Sequence, residues 1–379
     1  MQKFNFEDIR SYRDNEVHHK LLELLKDEEF IYILKKIYPD ERIERLSREL
    51  SRVNSVYDFQ KKYISEYITA LLQLTVSSLK VEGFENIEKN KPYLFISNHR
   101  DIISDPALIN YLFLQNGYDT CESGVGNNLL IYRWIEILIR LNKSFIVRRD
   151  LKGKAMFEGS HKLSAYIRDT IINRKNSVWI AQREGRTKDG NDKTDPAILK
   201  MFGMSGTGNF IDDFRELNII PVSISYENEP AIESKVAATY AKISGEKYTK
   251  TPEEDLADMG RGLYGMKGEI NIVFGKPVNG KLQSIGKIKK KNEKFAELAR
   301  RIDEQIYENY KLTKPNYIAF DILTGSKKFM KEGKYTKAEE TKMILLCEKT
   351  VSSLKGNQNL LEKIYYGIYA NPLINKIKI

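Results

Sequence analysis

Cysteine is nearly absent from this sequence. There are two in 379 residues, Cys121 and Cys347, far apart and in no metal-binding spacing. A disulfide-stapled scaffold and a cysteine-ligated zinc site are thereby excluded, and reduced thiols in a cytoplasmic protein are the expectation. Histidine is scarce too, with four copies. His18 and His19 are neighbours on a helical pattern, where adjacent side chains diverge, so no metal site is expected there. Long apolar runs are also missing. The most apolar stretch, "YITALLQLTVSSLKV" (67–81), is too short to span a bilayer and leads into charge. The first residues carry no apolar core, so no signal peptide is expected, and any membrane contact would be peripheral. No repeat, low-complexity linker, zinc, RNP or helix-turn-helix signature occurs, and nucleic acid is not an expected partner.

What the chain has is charge and a real core. Hydrophobic residues make up 41% and charged residues 30%, with 62 Lys+Arg against 52 Asp+Glu, a formal net charge of +10. That balance suits an anionic partner: a phosphorylated substrate, an acidic carrier protein or a lipid surface. The Lys-rich stretch 286–295 fits a solvated loop and helix start, or contact with an anionic membrane.

The hydrophobic periodicity divides the chain in three. Residues 1–85 carry apolar residues at three- and four-residue spacing, which predicts an N-terminal helical bundle, including a helix running through 56–79. From 86 to 325 short β-branched and aromatic runs at 93–98, 144–149, 177–182, 218–227 and 268–278 alternate with helical stretches. This alternation predicts an α/β fold, a largely parallel sheet flanked by helices. Residues 326–379 read as a C-terminal helical extension. The segment "NNLLIYRWIEILIRLNK" (127–143) mixes apolar and basic residues; it fits an interfacial amphipathic helix or a buried one.

In a parallel sheet, chemistry collects at the carboxyl ends of strands. Four predicted strand ends carry polar groups. "FISNHRDIISDPALIN" puts His99 at the end of the first, with Asp101 and Asp105 close behind. A carboxylate that orients such a histidine makes it a general base. Asp105 precedes a Pro and an apolar helix and so fits a helix cap. In "SFIVRRDLKGK" Arg148 and Arg149 directly follow the strand, with Lys152 and Lys154 close behind, a cluster able to grip phosphate. "IAQREGRTKDGNDKT" offers Glu184, Gly185, Arg186, Lys188 and Lys193 on a polar loop. "IIPVSISYE" has Pro221 early in a strand, which fits an edge or a strand start, and closes on Tyr226-Glu227.

Taken in order, these four blocks resemble the glycerol-phosphate acyltransferase superfamily. Within it they are most similar to the glycerol-3-phosphate and dihydroxyacetone-phosphate acyltransferase branch, to which "GEINIVFGKPV" and "PNYIAFDIL" are also similar. The likeness runs from about residue 86 to 325. It implies a glycerol-3-phosphate acyltransferase-like fold and transfer of a fatty acyl group from acyl carrier protein or coenzyme A. The acceptor would be a hydroxyl of glycerol-3-phosphate or a lysolipid such as 1-acyl-glycerol-3-phosphate, in phospholipid synthesis. By the same resemblance His99 is the base and Asp105 its orienting acid. Arg148 and Arg149 bind the acceptor phosphate. Glu184 and Gly185 shape the pocket, Arg186, Lys188 and Lys193 add positive charge, and Pro221 lies toward the acyl side. No metal or redox cofactor is implied, only the acyl thioester as co-substrate. The implied place is cytoplasmic, peripheral on the inner face of an anionic membrane.

Two departures stand out. The family leaves four residues between His and Asp, whereas Asp105 comes one step later, and Asp101 is also within reach of His99. Arg186 follows Gly185 directly, without the family's intervening residue. A different class of function therefore stays open: a catalytically silent lipid-binding or scaffold protein that retains the fold.

Overall fold

The computed structural model describes residues 4–246 and 251–379. Among these, seven strands form one sheet: β1 (Val76–Glu82), β2 (Leu94–Ser97), β3 (Glu122–Gly126), β4 (Ser144–Val147), β5 (Val178–Ala181), β6 (Ile219–Tyr226) and β7 (Gly268–Phe274). Their order across the sheet is β1-β7-β6-β2-β5-β3-β4. Every neighbouring pair is parallel except β6 with β7. Residues of β2 and β6 are buried throughout, which is why these strands read as continuous apolar runs rather than alternating ones.

Helices cover both faces. One face packs Leu94, Ile96, Phe145 and Ile180 against helices Gly153–Ile172 and Lys291–Asn309 through Tyr166, Ile167, Leu298 and Ile302. The other packs Phe95, Trp179, Ile224 and Ile272 against helices Ser65–Thr75 and Ser104–Gln115 through Ile68, Leu108, Ile109 and Leu112. Two further cores are helical. Val17, Leu21, Phe30, Ile43 and Phe59 close the N-terminal one with Ile137 and Leu141. Ile318, Met343, Leu361, Ile364 and Tyr365 build the C-terminal one together with Val236.

The α/β alternation is thus present, and all five strands expected from the sequence form. Two local expectations change, and one open alternative is decided. The helix expected through residue 79 stops at Thr75, because Val76 turns extended (φ −124°, ψ 128°) and Val76–Glu82 becomes an edge strand paired with β7. The sheet therefore begins ahead of residue 86. Strand β6, with its early proline, is neither at an edge nor starting at Pro221. It is central, between β7 and β2, and its β7 ladder begins at Val222–Phe274, so Pro221 sits where that ladder ends. Of the two readings of 127–143, the buried one holds. Helix Arg133–Leu141 buries Ile135, Ile137 and Leu141, and Arg140 donates to the carbonyls of Glu7 and Arg10. Among the described residues no helix is long and apolar enough to cross a membrane.

Candidate active site

Because β2, β3, β4, β5 and β6 run the same way, their carboxyl ends meet at one edge of the sheet. Thus His99 follows β2, Asn127 and Asn128 follow β3, Arg149 follows β4, Glu184 follows β5 and Tyr226 ends β6. Blocks scattered over some 130 residues of sequence become neighbours through strand order alone.

His99 Nδ1 lies 2.7 Å from Asp105 Oδ2. The same oxygen accepts from the backbone N–H groups of Arg100 (2.6 Å) and Asp101 (3.0 Å), and Tyr226 donates its hydroxyl to Asp105 Oδ1 at 2.7 Å. Asp105 is fully buried. Burial alone would raise its pKa, but the bonds from His99, Tyr226 and the Asp101 backbone outweigh that and hold it below the usual carboxylate range. An ionised Asp105 takes the Nδ1 hydrogen and leaves Nε2 of His99 as the basic nitrogen. The His99 side chain keeps 14% exposure, so the ring can meet a ligand while its far edge stays fixed. Trp179 braces it edge-on, 5.5 Å between centroids, and is itself held by donating to Ser97 Oγ at 3.0 Å.

The extra residue between His99 and Asp105 is accommodated by the start of helix Ser104–Gln115. Asp105 does not cap this helix, as its position before Pro106 had implied. It lies in the first turn and its carboxylate points back toward the loop. The capping role falls to Asp101, whose Oδ1 accepts from Ile103 N (3.1 Å) and Ser104 N (2.6 Å). Its Oδ1 is spent on backbone, while its buried Oδ2 has no hydrogen-bond partner among the described residues.

The arginine pair divides. Arg148 is held by Asp150 on its own loop, at 2.9 and 2.7 Å, which pulls the Asp150 carboxyl well below its ordinary value. Arg149 turns to the other side. Its Nη1 reaches Asn128 Oδ1 (3.2 Å) and its Nε lies 3.6 Å from Glu184 Oε1, so Arg149 and Glu184 are brought together and Arg148 is not. Gly185 has φ +70°, a conformation that favours glycine. Arg186 gives one arm to Asp258 (2.8 Å) while its buried Nη1 has no hydrogen-bond partner among the described residues. Lys188 and Lys193 are exposed on the same loop.

Sequence reasoning missed a buried charge cluster beneath His99. Arg100 donates to Asp192 Oδ2 (2.5 Å) and Glu229 Oε2 (3.2 Å), and Lys235 donates to Glu229 Oε1 (2.5 Å) and to the Arg100 carbonyl (2.7 Å). All four side chains are essentially fully buried. Also missed was helix Pro252–Tyr264, which bears Asp258 and whose Gly262 lies so close to Asp101 that a Cβ would sit 2.0 Å from its Oδ2. Its sequence signal was there: Thr251 and Glu254 form a capping box.

The loop after β5 is clamped at several points. Thr187 N donates to the His99 carbonyl (2.8 Å), Thr187 Oγ1 to Asp192 (2.6 Å), and Thr194 donates to Asp303 through both N (2.8 Å) and Oγ1 (2.5 Å). Burial pushes the Asp303 carboxyl up from 3.8 to about 6, the charge of Asp192 adding to it against the two bonds from Thr194. An acid raised in the folded state contributes stability below its unfolded value and loses it as pH rises through the folded one. Asp303 alone therefore costs about 3 kcal/mol of stability between roughly pH 4 and 7. Asp303→Asn keeps an acceptor for Thr194 and removes that part of the slope. Urea midpoints for both proteins, acidic against neutral, should show the variant gaining on the native protein as pH rises. A constant difference would mean that Asp303 ionises normally.

Residues 78–225, spanning nearly all of β1 and then β2 to β6 short of Tyr226, match the model of the Acyltransferase family. No curated protein matches the sequence. Among solved structures the chain is similar to the 1-acyl-sn-glycerophosphate (LPA) acyltransferase, PlsC, from Thermotoga maritima. The identity is 17%, covering 76% of this chain and 94% of that one, with a TM-score of 0.36. His99, Asp105, Arg149 and Glu184 all lie within the stretch that this family model matches.

Proposed function

We propose that this protein moves a fatty acyl group from a thioester, on acyl carrier protein or coenzyme A, to a hydroxyl of glycerol-3-phosphate or 1-acyl-glycerol-3-phosphate. The reading belongs with the glycerol-3-phosphate and dihydroxyacetone-phosphate branch of the superfamily. The observation that carries it is the 2.7 Å bond between His99 Nδ1 and an ionised, buried Asp105 at the carboxyl edge of the acyltransferase domain.

In this reading His99 Nε2 takes the proton of the acceptor hydroxyl as the oxygen attacks the thioester carbonyl. A C–O bond forms, the C–S bond breaks, and the imidazolium returns its proton to the leaving thiolate. Asp105 supports the transient positive charge on the ring. Arg149 and the unpartnered Nη1 of Arg186 supply donors for the acceptor phosphate, and Glu184 sets the reach of Arg149. Arg148, Lys188 and Lys193 add positive field around them. The chain's net charge of +10 suits an acidic carrier, a phosphorylated acceptor and an anionic lipid surface alike. For the last, Met156 and Phe157 stand 55% and 64% exposed near Lys152 and Lys154, at the start of the helix that follows β4. A peripheral place on the inner face of a membrane belongs to the same proposal.

The silent-scaffold alternative drew on the lengthened spacing between His99 and Asp105. The two side chains meet regardless, so the spacing no longer favours it. The test is transfer from labelled acyl carrier protein and acyl-CoA, each offered glycerol-3-phosphate, 1-acyl-glycerol-3-phosphate and unphosphorylated glycerol. Ester product with a phosphorylated acceptor alone supports the reading. No product with any pair, from folded protein with liposomes added, removes it.

A further inference from the structure

Strand β6 ends "SISY", and its alternation puts Val222, Ile224 and Tyr226 on one face, in the core that helix Ser104–Gln115 covers. A tyrosine there would be an ordinary packing residue but for its hydroxyl. The side chain is 2% exposed, so the hydroxyl must find a protein partner. The partner it finds is Asp105, in the first turn of the covering helix.

The two oxygens of Asp105 have separate work. Oδ2 receives three N–H groups, those of His99, Arg100 and Asp101. Among the described residues Oδ1 receives only the Tyr226 hydroxyl. A carboxylate held at both oxygens cannot turn about its Cβ–Cγ bond, so His99 always faces the same one. Without the phenol, Oδ1 would be a buried acceptor with nothing to accept, and the carboxylate could swing to share its remaining donors. Burial, with the Asp105 charge beside it, keeps the Tyr226 hydroxyl well above its ordinary pKa, so it stays a donor.

We infer that Tyr226 is a positioning residue for the His99–Asp105 pair: its hydroxyl fixes Asp105 so that Oδ2 holds His99 in the Nδ1–H form. Tyr226 is too deep to touch a substrate. The consequence for rate rests on the reading of His99 as the base; the consequence for the ring itself does not.

The test is Tyr226→Phe, which keeps the packing and removes one oxygen. With four histidines in the chain, ¹⁵N-histidine spectra are simple, and His99→Ala assigns the resonances of interest. In spectra of the neutral imidazole the native ring should show a single Nδ1–H tautomer. In Tyr226→Phe the Nε2–H form should grow in. In acyl transfer, kcat should fall about tenfold while KM for both substrates stays within about twofold. A purely packing role predicts an unchanged tautomer and unchanged kcat, and that result overturns the inference. Should the variant fail to fold, 3,5-difluorotyrosine at position 226 keeps the shape and strengthens the donor. It should weaken the Asp105–His99 bond and move the Nδ1–H proton resonance upfield; unmoved His99 resonances overturn the inference again. The spectra need no substrate, so a protein that transfers no acyl group would defeat the functional reading without deciding this one.

Discussion

Asp105→Asn is expected to lower acyl transfer by about 10³-fold while the protein still folds. The size of the loss follows from what converges on this carboxylate. Three N–H groups point at Oδ2 and one hydroxyl at Oδ1. With the amide oxygen in the Oδ2 position, the amide NH₂ faces Tyr226, whose hydroxyl can rotate to accept. The fold survives, but the charge that supports an imidazolium is gone. With the amide reversed, NH₂ meets the Arg100 and Asp101 N–H groups and donates to Nδ1, which forces the wrong tautomer. Either way His99 loses its orienting anion. Asp101→Asn is the control. Among the described residues its Oδ1 serves Ile103 N and Ser104 N, a task an amide oxygen performs as well, and its Oδ2 has no hydrogen bond to lose, so activity should stay within about twofold. Steady-state rates on both variants check this. If Asp101→Asn were the more damaging, the acid would be Asp101.

Arg100→Met is expected to destabilise the protein by about 3–5 kcal/mol, because it leaves buried carboxylates uncompensated. Arg100 and Lys235 balance Asp192 and Glu229 in a site that water does not reach. Burial disfavours the charged form of Arg100, yet Asp192 and Glu229 hold its pKa well above the ordinary value. For Lys235 burial wins: its pKa is pulled below the ordinary value, with Arg186 adding to the effect against Glu229. Removing Arg100 leaves one cation for two anions. Arg100→Met combined with Asp192→Asn should recover a measurable part of the loss, since the second change removes the stranded charge. Urea denaturation of the single and double variants decides it. A double variant as unstable as the sum of its parts would mean that the pair is not coupled.

This cluster also gives the C-terminal extension a task. Glu229 N–H donates to the hydroxyl of Tyr369, on helix Gln358–Ile377, at 3.1 Å. On the same helix Asn371 holds the carbonyl of Asp189 (2.6 Å), and Gly190 lies against the Ile368 carbonyl, where a Cβ would sit 2.1 Å away. Residues past 358 thus brace the two loops that sit beside His99.

Much of this was legible in the sequence where a residue's chemistry and its strand coincide. "FISNHR", "FIVRR" and "VWIAQ" announce buried strands with polar ends, and strands lie there. The strand "ESGVG" was not legible, because two glycines in five residues lower its β propensity; the sheet holds it between β5 and β4, with Glu122 satisfied by Tyr166 and Arg174. Val76–Glu82 was hidden because its leucine and valines continued the helical spacing of the residues before it. In the site, His99, Asp105, Arg149 and Glu184 could be named from local motifs. Asp192, Glu229, Lys235 and Asp258 could not, and Tyr226 showed only as a strand end, since their partners lie up to 140 residues away and only the fold brings them in. The split of Arg148 from Arg149 is visible only once Asn128 and Asp150 are placed.

The central claim is that His99 is the base, and the most direct measurement is acyl transfer by His99→Ala beside the native protein. Both would be assayed under the donor and acceptor pair that the native protein uses best, with urea midpoints measured on the same preparations. The account predicts a rate at least about 10²-fold lower at an unchanged midpoint. A His99→Ala protein that transfers acyl groups at the native rate would contradict it.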